Sequence, residues 1–197
     1  TMSARYPPIA VRVWGDFACF TRPENKVERV SYPVPTPSAA RGMLESIFWK
    51  PEFAWRIEEI WVLRPIRYFS ILRNEVNSKA THVSARRWEK EGGGYVASED
   101  RAQRHTLALR DVDYVIYAQV ELRPHATEDE AKYRDQARRR IETGKCFHRP
   151  ALGCREFAAN FGKPEGNECP ISVSDDLGRI LYDLNYQNDG TGRGTPI

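Results

Sequence analysis

The sequence predicts an α+β protein, with a ferredoxin-like (RRM-like) βαββαβ domain and antiparallel sheet over residues 1–160 and a small C-terminal β appendage over residues 161–197. Three observations predict this class. One segment alternates apolar and polar residues with the period of a strand, and two others combine helix caps with helical spacing of apolar residues. Along the chain the segments run strand, helix, strand, strand, helix, strand, which is the ferredoxin-like order.

The predicted strands differ in how clearly they are marked. Val112–Leu122 is the clearest, because its apolar residues alternate strictly with the others. Ile9–Phe20 has the same period of two and predicts a half-buried strand. Trp55–Glu75 is rich in β-branched and aromatic residues and predicts a long or bent strand, with the bend at Pro65. A short strand near Arg155–Asn160 completes the set.

The two helices are predicted from their ends. Thr36 and Pro37 suit the N-cap and first position of a helix that runs to about Trp49. The second helix is predicted to begin at Thr127, with Glu130 completing a capping box. Arginines fill its last turns and a glycine follows, which matches the helix dipole and the usual terminator.

Residues 77–104 show little periodicity and contain three consecutive glycines, which predicts a long mobile excursion between two strands. From Arg64 to Arg110, ten Lys and Arg residues stand against five acids, an excess larger than the +3 of the whole chain. Aromatic residues lie among these cations. The mixture suits phosphate contacts and base stacking, and a solvated basic surface would have the same composition. The stretch Gly190–Gly194 is also predicted to be mobile.

The composition excludes several other classes. With 197 residues and 41% hydrophobic content, the chain can bury a core and is not expected to be disordered. Its four cysteines form no CxxC pair and no zinc-binding spacing, so we expect no metal and no cofactor. No apolar run approaches the roughly 20 residues of a membrane helix, and no signal pattern opens the chain. This predicts a reduced, cytoplasmic protein with no membrane partner.

Several motifs, in order along the chain, resemble one protein family. They are Gly15–Phe20, Ser31–Thr36, Glu45–Pro51, Leu63–Ile66, the region from Thr106 to Tyr114, and Leu152–Phe157. The family is that of the subtype I-C pre-crRNA-processing endoribonucleases, the Cas five-d proteins of the CRISPR-associated RAMP superfamily. The resemblance covers most of the chain to about Gly162 and returns at Leu184–Tyr186. Family members usually continue further in C-terminal β structure, so this chain is expected to be a shortened one.

The resemblance implies an activity and a set of partners. A member of this family binds the CRISPR repeat hairpin, cleaves at its 3′ base without a metal ion, and stays on the 5′ handle of the crRNA among the other subunits of the subtype I-C interference complex. The isolated chain is expected to be a monomer. Cleavage by a 2′-hydroxyl requires a group that takes its proton, a group that protonates the leaving 5′-oxygen, and a cation at the phosphate. Tyrosine, lysine and histidine fill these roles in the family.

Two positions depart from the family pattern. The family's tyrosine is Phe48 here, which has no hydroxyl, and its Lys-His pair is Lys132-Tyr133. Lys132 is the first catalytic candidate, although an exposed helix lysine paired with acids would look the same. Tyr133 and His105 are the candidates for proton transfer. A tyrosine with an ordinary pKa of about 10 is a poor base near neutrality. Tyr133 also fits the apolar stripe of its helix, and His105 fits an exposed strand end.

RNA binding is predicted on the open face of the sheet and on arginines and aromatic residues, because arginine grips phosphate in a fork and is hard to deprotonate. The predicted RNA-binding residues are Arg86, Arg87, Arg101, Arg104, Arg138, Arg139, Phe48 and Trp49, with Arg140 grouped beside them. Phe48 also suits ordinary core. Two other functions stay open: a non-catalytic subunit that holds the crRNA handle in the same complex, and an RRM-like protein of unrelated function.

Overall fold

The computed structural model describes residues 6–25, 27–94, 96–183, 186–188 and 194–196. The elements in these ranges are β1 Ile9–Ala18, β2 Arg29–Val30, α1 Pro37–Ile47, β3 Phe53–Val62, β4 Tyr68–Val76, α2 His82–Glu91, β5 Arg101–Leu122, α3 Glu130–Glu142, β6 Asn160–Gly162, β7 Tyr186–Asn188 and β8 Gly194–Pro196. The α+β class predicted from the sequence is confirmed.

The sheet is built around β5, which is 22 residues long. Its C-terminal half lies between β1 and β3, and its N-terminal half lies between β4 on one side and the short β2 on the other. β6 pairs with the far edge of β1, so the strand order across the sheet is β6–β1–β5–β3. These pairings are antiparallel except for β2 with β5. Asp111 has a positive φ of 53° and marks the change between the two halves of β5.

Helices α1 and α3 cover one face of the sheet. The period of two in β1 turns Ile9, Val11 and Val13 toward them, as the sequence predicts. The helices contribute a common set of buried residues, namely Ala40, Met43, Leu44 and Ile47 from α1 and Tyr133, Ala137 and Ile141 from α3. The predicted cap of α1 is present, because Thr36 Oγ1 accepts from Ala39 N at 3.1 Å. α1 ends at Ile47, two residues before the predicted end.

The predicted start of α3 is wrong by two residues. Asp129, not Thr127, is the N-cap, and its backbone is extended, with φ −69° and ψ 149°. A turn precedes it, in which Ala126 N donates to Arg123 O at 2.9 Å, so the chain enters helical geometry later than the Thr127 pattern suggests. Gly144 follows the helix with φ +66°, as a glycine terminator does.

Two strand predictions are corrected in detail. The single bent strand over residues 55–75 is two strands, β3 and β4, separated by residues 63–67, which include Pro65. The last strand is Asn160–Gly162 instead of Arg155–Asn160, because residues 151–158 form a turn in which Leu152 N donates to Phe157 O at 2.7 Å. β6 thus crosses the domain boundary expected at residue 160.

Residues 77–104, expected to form a long mobile excursion, contain regular structure, because α2 and the first residues of β5 lie within them. β4, α2 and residues 101–110 of β5 form an arm, and Asn77 N donates to Asp100 O at 3.0 Å at the far end of the β4–β5 pair, where the chain leaves for α2. α2 begins with a capping box between Thr81 and Ser84 and buries none of its residues. Because α2 has no apolar stripe, hydrophobic periodicity could not predict it.

Residues 163–171 cross the face of the sheet that the helices leave open. They begin after β6 at one edge, place Glu168 3.8 Å from Arg12, and reach the opposite edge where Ile171 N donates to Val62 O at 2.8 Å. The chain then turns to the helical side, where Tyr182 O accepts from Ser38 N at 3.1 Å. β7 and β8 pair with each other. Of the stretch predicted to be mobile, residues 190–193 lie outside the described ranges.

Within the described ranges, no helix has the length and apolar character needed to span a membrane.

Candidate functional site

The positions that correspond to the family's catalytic tyrosine and histidine meet at one corner of the fold. Phe48 ends α1, Phe53 begins β3 and Tyr133 lies in the first turns of α3. The ring centroids of Phe48 and Phe53 are 5.4 Å apart, as are those of Phe53 and Tyr133. Trp55 joins them and donates from Nε1 to the Phe48 carbonyl oxygen at 2.8 Å. We call these four residues the aromatic corner.

Two side chains at the rim of the aromatic corner face solvent. The Lys132 side chain is 64% exposed, and its Nζ lies 2.6 Å from Glu128 Oε1. Trp49 is 51% exposed and follows Phe48 directly. A surface ion pair one helical turn apart is worth only about 0.3–0.5 kcal/mol, so a phosphate can displace Glu128 from Lys132 at little cost. The corner therefore offers a cation and a free aromatic face to a ligand.

Tyr133 is poorly suited to accept a proton. Its ring is buried in the core. Burial raises the pKa of the Tyr133 phenol, and the Glu52 and Glu128 carboxylates raise it further, against a lowering by Lys132. One buried oxygen of Glu52, Oε2, has no hydrogen-bond partner among the described residues. The phenol thus stays protonated near neutrality and can donate a hydrogen bond.

Phe48 is core, and its predicted role as a base-stacking platform is not supported. It is 1% exposed, with Phe53 against its ring and the Arg140 guanidinium 5.2 Å from its centroid. Arg140 also donates from Nη1 to the Ile47 carbonyl oxygen at 2.9 Å. The last carbonyls of a helix need such donors. Arg140 therefore fixes the end of α1 against α3.

A histidine that the sequence patterns did not single out lies beside this corner. His125 Nε2 is 2.9 Å from the Pro51 carbonyl oxygen, two residues before Phe53. The side chain is exposed. The contact follows from the pairing of Phe53 with Leu122, which brings the residues before β3 next to those after β5. Recognising that antiparallel pair in the sequence would have pointed to His125.

His105 is not brought to the aromatic corner. It pairs with Leu72 in the arm, whereas the corner lies at the other end of β5, where Leu122 pairs with Phe53. The 17 steps along the chain from His105 to Leu122 would span about 56 Å in a straight strand at roughly 3.3 Å per residue. The bend at Asp111 shortens this distance, but the strand from Asp111 to Leu122 alone spans about 36 Å by the same measure. The expectation that His105 acts with Lys132 and Tyr133 has no support in this geometry.

The predicted arginine contacts fall into two groups. One lies on the arm: Arg86 and Arg87 are exposed on α2, Arg101 is exposed on β5, and Arg104 is half-buried beside Arg73. The other is on α3, where Arg138 and Arg139 are exposed on the helix that carries Lys132. Either group can meet phosphates, and only the second shares an element with the aromatic corner.

The face of the sheet opposite the helices does not match the predicted RNA-binding surface. Its central cation, Arg12, donates to both carboxylate oxygens of Asp113, at 3.1 and 2.9 Å. Glu165 and Glu168 approach the same guanidinium to 3.6 and 3.8 Å. The crossing segment therefore covers this face with acids, which disfavours a phosphate backbone.

Comparison with known proteins identifies the family. The family model described as CRISPR-associated protein (Cas_Cas5) matches residues 9–183. The chain belongs to the Cas5d family. The resemblance inferred from the sequence motifs is thereby confirmed.

Two relatives of this Cas5d-family chain carry the name CRISPR pre-crRNA endoribonuclease Cas5d. The protein from Thermus thermophilus is 48% identical over 181 residues, covering 92% of this chain and 75% of that protein. The protein from Mannheimia succiniciproducens is 43% identical over 197 residues, covering 93% of this chain and 87% of that protein. A crystal structure of a CRISPR-associated protein has a TM-score of 0.66 at 22% identity, covering 94% of this chain and 84% of that one, and supports the fold.

The motifs that resembled the Cas5d family are far apart in sequence and adjacent in space. Cys19, in the motif that ends β1, donates from its backbone N to the Leu152 carbonyl oxygen at 2.9 Å. Gly153 has φ +88°, and a Cβ there would overlap the Cys19 carbonyl oxygen. Glu156 accepts from Arg29 at 2.9 Å and also from Arg73 of the arm. The residues 152–157 therefore join the end of β1 to the arm.

Proposed function

We propose that this Cas5d-family chain is an endoribonuclease that binds the CRISPR repeat hairpin of precursor crRNA and cleaves it without a metal ion. The observation that carries the proposal is the exposed Lys132, retained from the family pattern, at a corner that also presents Trp49 and His125. Its two relatives named CRISPR pre-crRNA endoribonuclease support the same activity.

The proposed chemistry is transfer of the phosphate to the neighbouring 2′-oxygen. The 2′-hydroxyl attacks the phosphorus, the bond to the 5′-oxygen breaks, and a 2′,3′-cyclic phosphate forms. His125 takes the 2′-hydroxyl proton on Nδ1, because its Nε2 donates to the Pro51 carbonyl oxygen and a neutral imidazole nitrogen can serve as a general base. Lys132 neutralises the phosphate and supplies the leaving 5′-oxygen with a proton. Tyr133 orients the phosphate through its hydroxyl.

The proposed grip on the RNA uses the two arginine groups. Arg138 and Arg139 extend the positive surface of α3 away from Lys132, while Arg86, Arg87, Arg101 and Arg104 hold a second part of the RNA on the arm. Trp49 offers a ring for a base. After cleavage we propose that the protein stays on the 5′ handle, with the other subunits of a subtype I-C interference complex as its partners. In isolation we expect a cytoplasmic monomer.

We further propose that the RNA-binding unit is ferredoxin-like and ends near residue 160, with the C-terminal residues as an appendage. The antiparallel order β6–β1–β5–β3, with α1 and α3 on one face, supports the first part. The crossing of residues 163–171 over the other face supports a separate role for the C-terminal part.

A second candidate is a subunit that holds the crRNA handle without cutting. Two observations favour it: Phe48 has no hydroxyl, and the raised pKa of Tyr133 removes it as a base. Both candidates bind the same RNA, so binding alone does not separate them.

The deciding experiment is incubation of the protein with a 5′-labelled repeat hairpin in EDTA, beside Lys132→Ala and His125→Ala. We expect one cut, slowed by about 10²–10⁴-fold in each variant with binding retained, because each removes a charge or proton-transfer group from the reaction. Lys163→Ala is the matched control, since its side chain is similarly exposed but pairs with Glu142 near the crossing segment. Tight binding with no cut by the native chain would instead support the handle-binding subunit.

A further inference from the structure

Two cysteines from distant motifs meet where the end of β1 touches the turn over residues 151–158. Cys19 is buried and Cys154 is half-buried. Both sulfurs contact one hydroxyl, since Thr21 Oγ1 lies 3.5 Å from Cys19 Sγ and 3.8 Å from Cys154 Sγ. Cys154 Sγ also lies 3.6 Å from the Cys19 carbonyl oxygen. The Cys154 sulfur is therefore within reach of a second thiol that has no direct access to solvent.

The surroundings of Cys154 favour its thiolate. Arg29 Nη1 donates to Cys154 Sγ at 3.4 Å, and the Thr21 hydroxyl, at 3.8 Å, can supply a second donor. One contact favours the neutral thiol, which can donate to the Cys19 carbonyl oxygen at 3.6 Å. Glu156, which Arg29 also binds, opposes the thiolate by its charge. The positive charge of Arg29 and the Thr21 hydroxyl outweigh the Cys19 carbonyl oxygen and the Glu156 carboxylate, so the contacts favour the charged form of Cys154.

The titration of the pair follows from the same contacts. The neighbouring Cys19 thiol, then the Thr21 hydroxyl and the charge of Arg29, lower the pKa of Cys154 to about 6, although burial and Glu156 act in the opposite direction. The same pairing and burial raise the pKa of Cys19. A thiolate at Cys154 beside a protonated thiol at Cys19 is the arrangement in which one cysteine reacts and the other resolves.

We propose that Cys154 is a reactive thiolate and that Cys19 is its resolving partner, so that a peroxide converts the two into a disulfide. The Cys154 sulfur attacks a peroxide oxygen, the O–O bond breaks, and a sulfenic acid forms at Cys154. The Cys19 sulfur then attacks the Cys154 sulfur, the S–O bond breaks, and water leaves with the Cys19 proton. Two thiols are oxidised and one hydrogen peroxide is reduced to two molecules of water.

Oxidation would also change the charges where Arg29 of β2 meets the arm. In the disulfide, Cys154 no longer presents a negative sulfur to Arg29. The remaining acidic partners of Arg29 are Glu156 at 2.9 Å and Glu75 of β4 at 3.6 Å. The site thus lies between the end of β1 and the arm, away from the aromatic corner, and does not depend on the proposed cleavage.

The first test is the rate of alkylation of Cys154 by iodoacetamide as a function of pH, followed by peptide mass spectrometry. We expect a midpoint near pH 6 in the folded protein, and near the ordinary value of about 8.5 for a cysteine in the same protein unfolded in urea. Above its folded pKa the thiolate is fully formed, so the rate should level off above about pH 7. Thr21→Val should move the midpoint upward. Equal midpoints in folded and unfolded protein would overturn the proposal.

The second test is treatment of the folded protein with hydrogen peroxide. We expect a linked pair of peptides carrying Cys19 and Cys154 that separates on reduction. In Cys19→Ser, a sulfenic acid at Cys154 should be trapped by dimedone instead. Cys169, which is exposed, serves as the internal control for unselective oxidation. Oxidation of Cys154 no faster than Cys169, or pairing of Cys154 with other cysteines, would contradict the assignment.

Discussion

Tyr133 combines a buried ring with a hydroxyl that lies among charged side chains. Its ring fills the core between α3 and β3, with Phe53 at 5.4 Å, and its hydroxyl lies among the charges of Glu52, Glu128 and Lys132. The buried ring fixes the backbone that carries Lys132. The high pKa of the hydroxyl makes it a hydrogen-bond donor and excludes it as a base at neutral pH.

We expect Tyr133→Phe to cleave repeat RNA within about tenfold of the native rate, because the substitution keeps the ring and removes only a donor worth roughly 0.5–1.5 kcal/mol. Tyr133→Ala should instead lower the free energy of unfolding by about 3–5 kcal/mol, as large-to-small changes at buried aromatic residues do. Single-turnover cleavage and urea unfolding measure the two effects. A loss of activity above about 100-fold in Tyr133→Phe would show that the hydroxyl transfers a proton.

The arginines of α3 show how neighbouring residues of one type take different roles. Arg134 is 1% exposed and donates to Gln119 Oε1 at 2.9 Å and to the Pro7 carbonyl oxygen. Arg140 closes the end of α1. Arg138 and Arg139 lie between them in sequence and are exposed. The run of arginines was a correct indication of positive charge, but only the helix orientation separates structural arginines from those available to RNA.

Among the elements, the junction between β1 and the turn over residues 151–158 depends on close backbone approach. Gly153 has no side chain where one would overlap the Cys19 carbonyl oxygen, and its φ of +88° suits glycine. This contact positions Cys154 and Glu156, and through Glu156 it positions Arg73 of the arm. A single glycine therefore affects both the thiol pair and the arm.

We expect Gly153→Ala to lower the free energy of unfolding by about 2–5 kcal/mol, from backbone strain and overlap with main-chain atoms that cannot rotate away. Gly42→Ala is the matched control. Gly42 lies inside α1, where a Cβ would meet nothing within 4 Å, so alanine should stabilise the protein by about 0.5–1 kcal/mol. Thermal or urea unfolding measures both. Equal effects of the two substitutions would contradict the packing described for this junction.

In the molecule as a whole, the two faces of the sheet have different partners. The helices cover one face, and residues 163–171 bring Glu165 and Glu168 across the other. The arginines predicted to bind RNA lie instead on α3 and on the arm. RNA bound to these surfaces would run along the helical side and the arm, and would not lie on the sheet as in RRM proteins.

We expect Arg86→Gln with Arg87→Gln to weaken RNA binding and to reduce the slope of log K against log salt by about 0.7 for each phosphate that the protein no longer neutralises. Trp14→Ala tests the alternative surface, since Trp14 is exposed on the sheet face opposite the helices. Its RNA affinity should change less than about twofold, whereas a stacking role would cost roughly 1–3 kcal/mol. Filter binding at several salt concentrations measures both. A weaker affinity in Trp14→Ala alone would restore the sheet face as the RNA surface.

Local sequence patterns were sufficient to predict the class of fold, most of its core and its family. These patterns are the period of two in β1 and β5, the Thr36 cap of α1, and the dispersed Cas5d motifs. α2 was not predicted, because a helix without an apolar stripe leaves no periodic signal. The family resemblance implied that the positions of Phe48, Lys132 and Tyr133 belong to one site. It did not predict that Phe53 and Trp55 join Phe48 to Tyr133.

Which residues share a site could be read only from tertiary contacts. The register of β3 against β5 brings Pro51 to His125 and leaves His105 at the far end of the sheet. Residues 163–171 bring Glu168 to Arg12 on the face that the helices leave open. The contact between the motifs Gly15–Phe20 and Leu152–Phe157 places Cys19 beside Cys154. Strand register and chain crossings join residues tens of positions apart. No local pattern encodes them, because their free energy comes from contacts that exist only once the chain has closed on itself.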